Sequence, residues 1–257
     1  MKKIVLFIGL CILFTGFVSL STRAQEAPAP PENFIVFEEF VQPADMPAFI
    51  KVQKKTIDLW KKHQFDIPIY TYRTDESSFY WVVPIENFGG IDALFKKGQE
   101  LQMKMKEDGF DGTKEFRDLS TGRQTVLHWR KDLSYHPSGE FGQSPDKGYC
   151  EWTFFYMKQG HEKEAKEATK KYIEFYDSVD ENYEWDVYEM VFGHDVPCWV
   201  FMVRAESELA LRELEKDLFS KYSEDLDKLW TDYIKNVRRM ENRKGWFLPK
   251  WSLNLPE

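Results

Sequence analysis

The sequence predicts an α+β protein made of two tandem βαββαβ units packed sheet to sheet within one chain. Three observations point there. Lys54-Lys55-Thr56-Ile57-Asp58-Leu59-Trp60 recurs 116 positions later as Lys170-Lys171-Tyr172-Ile173-Glu174-Phe175-Tyr176. Ile69-Tyr70 and Trp81-Val82 recur 118 positions on as Val187-Tyr188 and Trp199-Val200, and Arg130-Lys131 recurs 113 on as Arg243-Lys244. Offsets that drift by a few residues are what a duplicated unit gives when loops change length and packed elements do not. Second, each half carries the same order of strand and helix signals. Third, residues 79–83 and 198–203 are apolar without alternation, which marks strands buried on both faces. Helices cover one face of such a sheet, and the second copy is the nearest candidate to cover the other.

Residues 1–24 read as a cleaved export signal: Lys2-Lys3 is the positive start, 4–14 the apolar stretch, and Thr22-Arg23-Ala24 a small-residue cleavage site. The apolar run is too short to anchor in a bilayer. Residues 25–33 are a Pro-rich tether. The first unit, 34–133, opens with a strand at 34–41, rich in aromatic and β-branched residues. Pro43-Ala44-Asp45 ends it and starts a helix with Phe49, Val52, Ile57 and Trp60 near helical spacing. Strands at 67–73 and 78–83 flank the turn Thr74-Asp75-Glu76-Ser77. Gly89-Gly90 opens a helix to about 107, with Ile91, Leu94, Leu101 and Met105 on one face. A short helix at 113–119 and a strand at 124–133 complete the unit.

Residues 134–148, with two Pro and three Gly, form a linker. The second unit, 149–245, repeats the order. A strand at 151–158 leads to a charged helix at 161–177, with Ala165, Ala168, Ile173 and Phe175 or Tyr176 inward. Strands at 184–192 and 197–203 make a hairpin around Gly193-His194-Asp195. A helix at 206–222, a short one at 226–235 and a strand at 236–244 follow. The closing segment 246–257 carries Trp246, Phe247 and Trp251 and is expected to pack back onto a domain.

The formal net charge is −8, and losing Lys2, Lys3 and Arg23 with the signal makes it more negative. That balance argues against nucleic acid or an anionic membrane surface as the main partner. The 9 Trp, 12 Tyr and 21 Phe suit either a large aromatic core or an aromatic-lined cavity. Once Cys11 leaves with the signal, Cys150 and Cys198 remain, too few for a disulfide framework and in no zinc-site spacing. They stand at the starts of the first and third strands of the second unit. Taken as parallel neighbours about 4.8 Å apart, those strands put an inter-strand disulfide within reach.

The βαββαβ order is the ferredoxin-like split βαβ unit. With the repeat and the extra short helix before each last strand, residues 34–245 resemble the dimeric α/β-barrel proteins, with the pair fused in one chain. The group includes antibiotic-biosynthesis-type monooxygenases, NIPSNAP-like proteins and haem-binding chlorite-dismutase-like enzymes, and a shared fold does not choose among them. A haem site of the last kind implies a strand- or helix-borne histidine facing a cavity in the second unit. That unit offers only His161, at a helix start, and His194, in a turn.

Candidate chemistry is sparse. His63, His136, His161 and His194 read as surface residues, whereas His128 lies inside the apolar strand segment Val126-Leu127-His128-Trp129 and is the weak candidate for a base or ligand. Tyr70 with Tyr188 and Trp81 with Trp199 are identical at matched positions, as core residues or as a ligand-stacking wall. At the 113 offset His128 and Arg130 align with Glu241 and Arg243. Alternation then places all four on the face turned toward the other unit, where charges must pair. The expectation is a polar network of His128, Arg130, Glu241 and Arg243 near the pseudo-twofold axis, with Leu127 and Trp129 on the opposite face toward the helices; Trp129 is counted with the ligand-binding candidates. No phosphate loop, nucleophile elbow or paired-histidine metal motif occurs, and no cofactor or metal is expected. These residues suit an exported binding protein for a small apolar or aromatic molecule, held between sheet and helices or between the two sheets. The alternatives are a cofactor-free monooxygenase-like enzyme and a non-catalytic interaction module. Nothing in the sequence sets the oligomeric state.

Overall fold

The computed structural model describes residues 30–137, 147–179, 181, 183–193 and 195–255. The expected signal (1–24), the start of the tether, the centre of the linker and His194 lie outside the described residues. The chain order is β1 (Asn33–Phe40), α1 (Met46–Lys62), β2 (Tyr70–Thr74), β3 (Ser78–Ile85), α2 (Gly89–Glu107), α3 (Gly112–Glu115) and β4 (Thr121–Trp129). The order repeats as β5 (Tyr149–Met157), α4 (Glu162–Val179), β6 (Asp186–Phe192), β7 (Cys198–Ala205), α5 (Glu208–Ile234) and β8 (Val237–Phe247). Local chemistry accounts for the helix starts. Asp45 stands at the N-cap of α1, without a side-chain cap bond, just ahead of Pro47 in the first turn. Ser207 caps α5 by accepting from the Ala210 amide at 3.1 Å. The two helices expected at 206–222 and 226–235 run together as α5 across a kink at Tyr222, where φ is −131° and ψ 26°.

The eight strands close into one barrel, ordered β1-β3-β2-β8-β5-β7-β6-β4. Each unit contributes a four-stranded sheet, and the sheets join edge to edge by the antiparallel pairs β2–β8 and β4–β6. Joining both edges leaves no open one, the most complete answer to unpaired edge strands. It also explains the missing alternation. Val36, Tyr72 and Tyr80 of the first unit meet Trp152, Tyr156, Val200 and Met202 of the second inside the barrel, while the opposite strand faces are covered by helices. Outside the first sheet lie Phe49, Ile57, Phe79 and Trp81; outside the second lie Phe155, Trp185, Leu218 and Tyr233. After β8 the chain turns back onto the first unit, and Trp251 stacks on Phe79 and Trp81 with centroids 5.3 and 6.1 Å apart.

The inter-strand disulfide that the sequence left open between Cys150 and Cys198 is absent, and both residues remain thiols. β5 and β7 are antiparallel, not parallel: Cys150 lies opposite Arg204, and Cys198 opposite Tyr156. The hairpin partner of a crossover strand must run the other way. The cysteines therefore sit about 20 Å apart, at opposite ends of neighbouring strands. Burial pushes each thiol up to about 12. Native protein spanning 25–257 is expected to take up no iodoacetamide at pH 8 and two equivalents once unfolded in guanidinium, read by mass; rapid native labelling of either thiol would contradict this packing.

Candidate functional site

A cavity of about 320 Å³ lies between the outer face of the second sheet and helices α4 and α5. That is the lower end of the range for small-molecule pockets. Its floor is built by strand alternation, with Thr153 and Phe155 on β5 beside Phe201 and Val203 on β7. One wall comes from α4, where Thr169, Tyr172 and Tyr176 fall three and four residues apart and so share a face. The other wall comes from both halves of α5: Glu215, Leu218 and Phe219 precede the kink, and Leu226, Trp230 and Tyr233 follow it. Tyr183 and Trp185, on the approach to β6, close one end. Phe219 and Trp230 are exposed large aromatics among the lining residues and place the mouth.

The rings are held in defined geometry. Tyr183 stacks on Tyr176 at 5.6 Å, and Tyr233 packs edge-on against Phe155 at 5.0 Å. Burial raises the phenols of Tyr172, Tyr176, Tyr183 and Tyr233 above their ordinary range, so all four stay neutral at physiological pH. Tyr183 donates to Glu215 Oε1 at 3.2 Å, and Arg212 bridges Glu215 and Glu151. The Tyr233 hydroxyl is buried and has no hydrogen-bond partner among the described residues. An unsatisfied buried hydroxyl costs roughly 1–3 kcal/mol.

The residues singled out in the sequence lie elsewhere. Tyr70 and Tyr188 belong to the barrel interior, and Trp81 and Trp199 to the helix-covered clusters of their own units. Trp81 donates to Glu39 Oε2 at 2.8 Å. His128 and Trp129 stand at the β4–β6 seam, opposite Glu189 and Tyr188. His128 Nδ1 is 3.0 Å from Asn33 Oδ1, and Trp129 donates to Ser134 Oγ at 3.0 Å. Arg130 binds Asp132 and Glu189 and lies over the Trp199 ring. Glu241 and Arg243 face into the barrel, where Tyr156 donates to Glu241 and Arg243 bonds Glu38 and Tyr80. None of the nine is among the described lining residues of the cavity.

The four-residue network expected of His128, Arg130, Glu241 and Arg243 does not form: Glu241 and Arg243 pair at 3.6 Å inside the barrel, but the 113 offset falls three short of the true one, and an odd slip turns a strand side chain to the other face. The ladders give the true match: Asn33 pairs with His128, and Glu151, 118 residues after Asn33, pairs with Lys244. His128 therefore corresponds to Lys244, and Leu127 to Arg243. Sequence reasoning also missed Tyr172, Glu215 and Tyr233. One signal was present: in the repeated seven-residue stretch, Thr56 against Tyr172 is the replacement that changes character, and Tyr172 lines the cavity.

Among the described residues no group of His, Cys, Asp and Glu is arranged to hold a metal ion, and no helix is long and apolar enough to cross a membrane. Haem does not fit the lining: no His, Cys or Met is among its described residues, and its phenols are raised away from the phenolate a haem iron would need. His161 turns instead to Asn236, 3.2 Å away.

No protein-family model and no curated protein sequence matches the chain. Solved structures do. A provisionally assigned monooxygenase from Lactobacillus acidophilus is 11% identical with a TM-score of 0.52, over 85% of this chain and 94% of that one. An anthrone oxidase-like protein is 11% identical with a TM-score of 0.54, over 84% and 92%. A chlorite dismutase mutant from Candidatus Nitrospira defluvii is 12% identical with a TM-score of 0.50, over 86% and 92%. At such identities the likeness concerns the fold, and it agrees with the closed eight-stranded barrel and the repeated element order: the chain has the fold of the dimeric α/β-barrel proteins, with both ferredoxin-like units in one polypeptide.

Proposed function

We propose that the chain is an exported protein that binds one small, mainly apolar aromatic molecule in the cavity beneath α4 and α5. The observation that carries this reading is a cavity of about 320 Å³ in which nine of the fifteen described lining residues are aromatic. A core closed by its own side chains leaves no such volume. The first unit supports the contrast: there Trp251 of the C-terminal segment fills the space over Phe79 and Trp81. Native mass spectrometry of protein isolated from its own cells is expected to show one retained small molecule. Val203→Phe, which puts a ring into the floor, is expected to lose that added mass with an unchanged melting temperature. Protein carrying no added mass, or a variant that keeps it, counts against the reading.

One observation favours a second reading on the same pocket, oxygenation without a cofactor. Such chemistry needs an electron-rich substrate as its anion, and Glu215, held by Tyr183 and Arg212, is the carboxylate among the described lining residues and so the candidate base. The neighbours described as a monooxygenase and as anthrone oxidase-like lend it context. Oxygen uptake with quinols in the presence of a metal chelator, lost in Glu215→Gln, would establish it over simple binding.

A further inference from the structure

Resting on the reading of the cavity as a ligand site, we propose that its ligand is an organic cation, an alkyl- or arylammonium held by the aromatic faces with Glu215 as the acidic wall. Nine of the fifteen described lining residues are Phe, Tyr or Trp, and the aliphatic ones are Val203, Leu218 and Leu226. A site for a plain hydrocarbon has no need of that ratio. Aromatic faces carry negative potential, and a cation over them gains from about 0.5 kcal/mol when exposed to about 2 when desolvated.

The distribution of charge points the same way. Glu215 is the charged residue of the lining, and no Lys, Arg or His is among the described lining residues. Its neighbour Arg212 is shared between Glu215 and Glu151, so two carboxylates face one guanidinium and negative charge is left over. The chain as a whole carries −8, which favours the approach of a cation.

A separate observation concerns the chain's own cations. Elsewhere they sit over aromatic rings. Arg239 lies 3.9 Å over Tyr156, Arg243 5.0 Å over Phe154, Lys131 5.1 Å over Trp129 and Arg130 5.7 Å over Trp199. Among the described residues no such contact falls on a ring of the cavity, although Trp185 and Trp230, the strongest ring type for this interaction, are both there.

The test uses residues 25–257 and two probes of nearly equal shape, phenyltrimethylammonium and its neutral isostere tert-butylbenzene, titrated against tryptophan fluorescence at 0.1 M salt. The cation is expected to bind about tenfold more tightly than the neutral probe. Glu215→Gln is expected to weaken the cation about fivefold, within the range for an exposed-to-buried charge contact, and to weaken the neutral probe by clearly less. Equal or tighter binding of tert-butylbenzene overturns the cation proposal while leaving the cavity as an apolar site. Failure of both probes to bind at millimolar concentration also overturns it, and the retained-mass experiment then decides separately whether the cavity is a ligand site.

Discussion

Asp186→Ala is expected to cost about 3–5 kcal/mol of unfolding free energy, the range for removing one partner of a buried ion pair. Asp186 and Arg204 both have side chains under a tenth exposed, and they bond inside the barrel. His136 approaches the other carboxylate oxygen at 2.9 Å. Tyr72, Tyr188 and Cys150 stand close enough to Arg204 to feel its charge, and none of them brings a negative charge at neutral pH. Without Asp186 the guanidinium is left buried with no counter-ion. Burial alone would raise the Asp186 carboxyl, but the Arg204 charge and the His136 bond outweigh it and bring it down to about 2, from 3.8. A depressed carboxyl contributes stability above its unfolded value, and that contribution disappears as pH falls from about 4 through about 2. The shift corresponds to about 2 kcal/mol. Urea unfolding of the parent is expected to show this loss over that window, and Asp186→Asn is expected to lack it. An Asp186→Ala variant within 1 kcal/mol of the parent at pH 7 would contradict the buried pair.

The second large effect is expected at Gly245, where β8 meets β2. Gly245 lies opposite Thr74 at the seam between the units and opposite Cys150 on its other side. A Cβ there would stand 2.6 Å from the Arg73 carbonyl oxygen and 2.7 Å from the Trp152 ring. The first neighbour is backbone and cannot swing away, so Gly245→Ala must push β8 from β2. A loss of about 2–3 kcal/mol is expected, in the upper part of the range for overpacking. Amide exchange should also rise locally at Asp75, whose N–H bonds the Lys244 carbonyl across this seam. A melting temperature unchanged in Gly245→Ala would show that the seam is looser than the ladder implies.

These two sites mark where the sequence was legible and where it was not. Period-2 and period-3.6 patterns gave the order of strands and helices, because burial on one face imposes them locally. The doubly buried runs at β3 and β7 gave the meeting of two sheets for the same reason. Edge pairing is different: β2–β8 and β4–β6 join residues more than fifty positions apart, and only their ladders define register. A chance likeness of Arg130-Lys131 to Arg243-Lys244 could therefore pass as homologous position and misplace His128 by one face. Chain direction was lost in the same way at Cys150 and Cys198. The cavity left still less trace. An inward Tyr172 or Trp230 looks the same in a sequence whether it fills a core or lines a void, and the void depends on where α5 bends at Tyr222.

The most direct measurement is a methyl NMR titration of 13C-labelled protein with a small aromatic probe, indole, assigned by mutation. The account predicts saturable shifts at Val203, Leu218 and Leu226, which line the cavity, and none at Val36, Val82 or Val200 inside the barrel. Shifts confined to the barrel valines, or no saturable shift at any of the six, would contradict a ligand site beneath α4 and α5.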